Sequence, residues 1–445
     1  MMRVLAVIAL APALASQTAT EASTPTRPSV DPVIIEGRVL PSLIGKKPSA
    51  IVAFAYRDDA WRQIPVQIDE RTQLPFAKLL RRKQRTDPES LFYTDPNTFT
   101  GADPDANFDA DDELVFLAAD AGAIAPDDDP KGVRAKTRVE LRLKNAAKDH
   151  SLVYLFASQG QLKPDAGAKH IRNDFKLVAG AYKEEYELGN RLNPEQTKIT
   201  TPAYRLGFSD RWILDEMRLT VGDAPGVDIL DGHKVQVIPG NCIRTTKTFS
   251  NGRGAIIANI AGPIRAIRSV IGANSGPLTE RLWKCYPQRI DVITRLRVHA
   301  LPSILMFFDY SADALGMVYH DNNNKLGATI DGKPDPIIPG KMLWQFVTGK
   351  PGSLLIHYHL ETTIKKLVEF SLYDDNRKPK WNQCTGDNMA FGAGGPLARN
   401  LSNTDPRFEK SSKLTSFVIL YPGAPGKKLG QVSVRAPRPI EVEVK

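Results

Sequence analysis

The chain has 445 residues, of which 42% are hydrophobic and 24% charged, with a formal net charge of +9. That length suffices for two or three domains with proper cores. Beyond the first residues no run approaches eighteen apolar side chains, which excludes a membrane-spanning helix in the mature chain.

The first segment, Met1-Met2-Arg3 followed by apolar Val4 to Ala11 and the small-residue run Ala13-Leu14-Ala15, has the layout of a short secretory signal peptide over residues 1–15. Residues 16–31, rich in Thr, Ser, Pro and Ala, read as a flexible leader. A secreted or periplasmic location follows as the expectation.

Strand patterns then dominate. Val33-Ile34-Ile35 and Ile51 to Tyr56 are short apolar runs, and Ile64, Val66 and Ile68 alternate with polar neighbours up to Asp69-Glu70. Pro65 inside that run predicts an edge or bulged strand. Residues 75–84 suit one short helix. Val139, Leu141 and Leu143 alternate with charged residues, and Leu152 to Phe156 is an apolar strand. These elements define an N-terminal β domain over residues 32–160, followed by a linker at 158–172. Residues 173–445 carry a dozen further strand patterns punctuated by glycine and proline turns, down to a closing Ile440 to Val444. Residues 361–370 fit strand or helix equally. The predicted fold is all-β: a small N-terminal β-sandwich followed by a larger antiparallel β-sandwich domain.

The most informative motif lies inside the first domain. Oxygen-bearing side chains recur at Asp103, Asp105, Asn107, Asp109, Asp111 and Glu113, and the run continues into Leu114 to Leu117, a strand pattern. Six carboxylates within eleven residues repel one another unless neutralised. A hard cation such as calcium takes six to eight oxygens, which such a loop can supply. Against the EF-hand pattern, Phe108 stands where glycine is needed and Leu114 where the bidentate glutamate belongs, leaving Asp112 or Glu113 for that role. The loop is similar instead to the D-x-D-x-N loops of secreted β proteins. A structural calcium ion is the expected cofactor; a solvated acidic turn is the alternative.

Two strand patterns could carry chemistry. His357, His359 and Glu361 share one strand face, and two imidazoles at i and i+2 could hold a transition metal. The H-x-H spacing resembles the cupin metal motif, without its glutamate spacing or flanking glycines. Arg295, Arg297 and His299 share the polar face of residues 290–299. Arginine grips carboxylates through paired hydrogen bonds. A β-eliminating lyase acting on a uronate polysaccharide needs such a grip and a His or Tyr base; His299, Tyr310, Tyr319 and His320 are the candidates. The ordinary alternative is the wet face of an antiparallel sheet. The Asp321 to Asn324 run favours a turn.

Cys242, Cys285 and Cys384 allow one disulfide, with Cys242–Cys285 the preferred pair. No P-loop, G-x-S-x-G or H-E-x-x-H sequence occurs. The positive charge favours anionic partners, but no stacking or groove-reading motif accompanies it, so nucleic acid is not expected. The sequence therefore points to an exported carbohydrate-active protein, a lyase or hydrolase acting on an acidic polysaccharide. The alternatives are a calcium-stabilised envelope or adhesion protein that binds without catalysis, and a metal-dependent periplasmic enzyme built on the H-x-H strand.

Overall fold

The computed structural model describes residues 31–79, 89–144, 151–178, 186–187, 194–210, 214–222, 224–238, 253–271, 279–296, 303–375, 392–400 and 413–445. Every named strand pair is antiparallel, and the one α-helical element among the described residues is the single turn Phe76–Leu79. Residues 80–84 of the expected helix lie outside the described residues. The 361–370 ambiguity resolves to strand: Gly352–Thr362 is followed by Leu367–Asp374.

A small sandwich forms first. Its three-stranded sheet runs in the order Pro32–Glu36, Glu113–Leu117, Gln67–Asp69, and its five-stranded sheet in the order Glu441–Val444, Val139–Lys144, Ser151–Ala157, Ile51–Arg57, Ala60–Ile64. The alternation read at 139–144 is what a one-sided strand requires: Val139, Leu141 and Leu143 are buried in a core shared with Val33, Ile35 and Phe116. Pro65 falls where the chain leaves one sheet for the other. Ala60–Ile64 and Gln67–Asp69 are edge strands of different sheets, so no central ladder needs the missing proline N–H. The strand Glu441–Val444 pairs with Val139–Lys144 and so completes this N-terminal sheet, although the sequence pattern groups it with the larger domain.

The larger sandwich is built on a ten-stranded sheet that includes Arg253–Ala261, Ala266–Ile271, Thr279–Tyr286, Arg289–Leu296, Leu414–Gly423 and Gly352–Thr362 as consecutive neighbours. A five-stranded sheet (Arg172–Asp174, Pro194–Thr200, Tyr204–Asp210, Glu216–Val221, Ala224–Asp228) and a four-stranded one (Leu230–Ile238, Ser303–Tyr310, Ala393–Asn400, Leu367–Asp374) complete it. Leu206 and Met217 from the five-stranded sheet, Trp283 and Val418 from the ten-stranded sheet, and Phe308 and Tyr310 from the four-stranded sheet share one apolar core.

The two sandwiches meet through a buried polar junction. Gln67 Oε1 accepts hydrogen bonds from the backbone N–H groups of Ile264 and Arg265, and Gly262 packs so closely on the Gln67 side chain that a Cβ there would overlap it. Arg265, with no solvent exposure, donates from Nε to Asp69 at 2.8 Å and from Nη2 to Glu113 at 2.6 Å. Glu113 also takes Arg71 at 2.8 Å, the Tyr93 hydroxyl at 2.6 Å and Lys284 at 3.5 Å. Burial alone would raise the Glu113 carboxyl, but Lys284, Arg265 and Arg71 hold it well below the usual carboxylate range. Burial lowers the Lys284 ammonium to about 8 against the pull of Glu113.

Breaking a buried pair costs about 3–5 kcal/mol, because the remaining charge is left uncompensated. Arg265→Met should therefore destabilise the chain toward the low end of that range, since Arg71 and Lys284 still face Glu113. Urea denaturation checks this; a loss under about 1 kcal/mol would mean that the junction contributes little to stability.

Candidate metal centre

The acidic loop is pinned at two points. Phe108, where an EF-hand would need glycine, is fully buried in the small sandwich core, and its backbone pairs with Gly45 and Lys46. Gly37 lies against the Asp109 carbonyl with no room for a side chain. Between these anchors the aspartates fold the loop on itself. Asp103 Oδ1 accepts from Asp105 N at 2.9 Å, Asp105 Oδ1 from Asn107 N at 3.1 Å, and Asp109 Oδ1 from Asp111 N at 3.0 Å. Asp112, fully buried, accepts from Asp109 N at 2.9 Å and from Arg71 N at 3.0 Å. These are Asx-type turns, which hold short acidic loops in a fixed shape.

The carboxylates that converge are Glu70, Asp103 and Asp112, each offering an oxygen within 4.8 Å of the others. Both Glu70 oxygens and Asp103 Oδ2 are buried with no hydrogen-bond partner among the described residues. The electrostatics follow from that. Burial first, then repulsion by Asp112, Asp103, Asp109 and Asp105, pushes the Glu70 carboxyl up to about 8. Burial raises Asp112 to about 6 in spite of its two backbone donors. Burial and a hydrogen bond with Asp109 raise Asp111 to about 7, and burial raises Asp103. Clustered acids in this state release protons readily to a cation that supplies the missing charge.

Of the six sequence-predicted ligands, Asp103 lies in this cluster. Asp105, Asn107, Asp109 and Asp111 shape the loop around it, with Asp105 taking both the backbone and side-chain nitrogens of Asn107. Glu113 faces away, into the junction with Arg265. Glu70 was not among the predicted ligands, because it lies far upstream at the end of the Gln67–Asp69 strand; its one sequence signal is an acidic pair, Asp69-Glu70, closing an apolar alternation.

Of the other candidate residues, the described ones each have partners of their own. Arg297 and His299 lie outside the described residues. Arg295 Nη1 pairs with Glu280 Oε2 at 3.0 Å on the neighbouring strand. Tyr310 is buried in the sandwich core and accepts a hydrogen bond from Gln345 Nε2 at 2.8 Å; burial raises its phenol above the ordinary value. The His320 ring nitrogen Nδ1 lies 3.0 Å from the Lys325 carbonyl, beside the Phe346 ring. The Asp/Asn run does form a turn: Asp321 Oδ1 accepts from Asn323 N and Asn324 N, and Asp321 Oδ2 accepts from the Tyr319 hydroxyl.

His357 and His359 occupy one strand in very different settings. His357 is 6% exposed, set edge-on to Tyr421, and burial lowers its pKa to about 4. His359 is exposed and lies 3.6 Å from Glu361. Cys285 is a buried free thiol near Tyr204, with its pKa raised by burial; Cys242 and Cys384 lie outside the described residues. Among the described residues no helix is long and apolar enough to cross a membrane.

No family model matches this chain, and no curated protein does either. Among solved structures, the Slr1438 protein from Synechocystis sp. PCC 6803 aligns with 53% of this chain and 97% of its own, at 10% identity and a TM-score of 0.30. A putative aldose 1-epimerase from Escherichia coli K12 aligns with 49% of this chain and 96% of its own, at 11% identity and a TM-score of 0.27. Similarity that low transfers nothing about activity, and the all-β class of this chain rests on its own strands.

The raised carboxyls have a pH consequence. A carboxyl whose pKa is raised by folding holds a proton that the unfolded chain has already released, so its stabilisation is full below about 4.5 and lost as pH rises through the folded value. Below about pH 6.5 His357, depressed to about 4, works in the opposite direction. In chelator, melting temperature should therefore fall between about pH 6.5 and 8, the window of Asp111 and Glu70. Glu70→Gln should flatten that decline, as should saturating calcium; melts across the pH series are the check.

Proposed function

We propose that this chain is an exported, calcium-stabilised protein that binds acidic carbohydrate at the cell exterior without transforming it. The observation that carries the cation is the convergence of Glu70, Asp103 and Asp112, with buried Glu70 and Asp103 oxygens that no donor among the described residues satisfies. Hard oxygen donors suit calcium, and weak sites of this kind fill where calcium is abundant, outside the cytoplasm. The signal-peptide pattern over residues 1–15 supports the same location. The ion sits, on this reading, among Glu70, Asp103 and Asp112, and serves to stiffen the small sandwich. The formal charge of +9 supports an anionic polysaccharide or another anionic envelope component as partner.

Binding is favoured over catalysis by the placement of the described candidate residues. Arg295 is paired with Glu280, Tyr310 is sealed in the core, and His320 faces its own turn. A lyase needs its carboxylate grip and its base within reach of one sugar.

Calcium at about one hundred times its Kd should stabilise the folded chain by about 2.7 kcal/mol, seen as a rise in melting temperature over the chelated protein. Glu70→Gln with Asp112→Asn should abolish the rise. An unchanged melt on adding calcium to the wild-type chain would remove the metal assignment. Retention on an immobilised uronate polysaccharide should weaken with salt. Release of unsaturated uronate, read by its ultraviolet absorbance, would make the protein a lyase instead.

A further inference from the structure

A cavity of about 270 Å³ opens where the two sandwiches and the segment before the closing strand meet. Its floor is the outer face of the ten-stranded sheet, contributed by Ile293, Phe417 and Ile419. Val418 and Leu420 on the same strand point into the sandwich core, so Phe417 and Ile419 turn the other way and stay half-buried. One wall is Pro32 and Ile34 of the small sandwich; the other is residues 437–440, which lead into Glu441–Val444.

Most of the polar groups around this floor are already matched. Asp291 is the one carboxylate among the described lining residues, and Arg289 holds it at 2.6 Å while also taking Asp31 at 2.9 Å. Beyond the cavity the register sets His359 opposite Phe417, and sets Arg295 and Glu361 on either side of Thr415. His359 lies 3.6 Å from Glu361, and Arg295 lies 3.0 Å from Glu280. Arg438 is the exception. It lines the cavity, is exposed, and has no hydrogen bond or carboxylate partner among the described residues.

We propose that this cavity binds one unit of an acidic saccharide, with the sugar ring lying on Phe417 and Ile419 and its carboxylate held by Arg438. A sugar ring has an apolar C–H face and a rim of hydroxyls, which matches an apolar floor edged by fixed polar groups. A free guanidinium grips a carboxylate through two parallel hydrogen bonds. An acyl chain would also suit the floor, but it would cover the charged pairs at the edges without replacing the water they lose. A bare inorganic anion would use Arg438 and leave the floor without a partner. The volume lies near the lower limit of small-molecule pockets, roughly 300 Å³, so it suits a single sugar, with neighbouring units running out over the exposed His359 and Glu361. This rests on the carbohydrate reading above, assigns it a site, and needs no cation at the acidic loop.

The test is calorimetric titration of the full chain with four probes: a uronate oligosaccharide, a neutral oligosaccharide of equal length, octanoate and inorganic phosphate. The uronate oligosaccharide should bind tightest. Arg438→Gln should weaken it by about tenfold while leaving the neutral oligosaccharide within about twofold, with unchanged melting temperature. Arg438→Lys should lose less, since the charge stays and only the paired geometry goes. Phe417→Leu should weaken both oligosaccharides. Arg435→Gln, the same charge change on the same segment at an exposed residue that does not line the cavity, should leave uronate binding within about twofold. Equal losses in Arg438→Gln and Arg435→Gln would overturn the cavity while leaving carbohydrate binding intact. Tighter binding of octanoate or phosphate than of either oligosaccharide would make this a site for another anion and overturn the proposal. No binding of either oligosaccharide by the wild-type chain would overturn both this proposal and the carbohydrate reading.

Discussion

Glu36, Glu113 and Asp69 stand side by side across three neighbouring strands of the small sandwich. Like charges directly opposite one another destabilise a sheet, so this row exists only because cations reach it from elsewhere. Arg71 comes from the next strand of the same domain, while Arg265 and Lys284 come from the larger sandwich. The small sheet therefore cannot be neutral on its own. Its charge balance is completed by the other domain across the junction.

The same constraint reaches the acidic loop. Arg71 touches both systems: its backbone N–H supports Asp112, its guanidinium bonds the Asp111 carbonyl and Glu113. Asp112 and Glu113 are consecutive at the start of a strand, where successive side chains point to opposite sides. One acid is sent to the cluster with Glu70 and the other to the junction. The two polar centres share a strand and an arginine while facing different environments, which is why one holds carboxyls raised and the other holds a carboxyl depressed.

Local pattern disclosed much of the fold. The alternation of Val139, Leu141 and Leu143 and the proline at 65 were legible because each depends on neighbours a few residues away. Sheet membership was not, since Glu441–Val444 reads as one more strand until its partner is known. The candidate metal centre was half legible for the same reason. A spacing rule applied within one loop finds Asp103 but passes over Glu70, which arrives from a different strand. It also takes Glu113 as a ligand, because even spacing along the chain says nothing of which way a strand turns its side chains. Of the catalytic candidates, Tyr310 drew attention by residue type, whereas its burial among Trp283, Phe308 and Val418 depends on two sheets closing together.

The return of the last strand to the first domain gives the chain a clasp. Val139–Lys144 has an open edge until Glu441–Val444 arrives, and nearly the whole larger sandwich lies between them in sequence. An unpaired edge invites other strands. During synthesis the small sandwich must therefore wait, with one side unfinished, while the larger one is made. Any event that delays or removes Glu441–Val444 is felt at Val139–Lys144, so a sheet built mostly from early residues depends on a strand made much later.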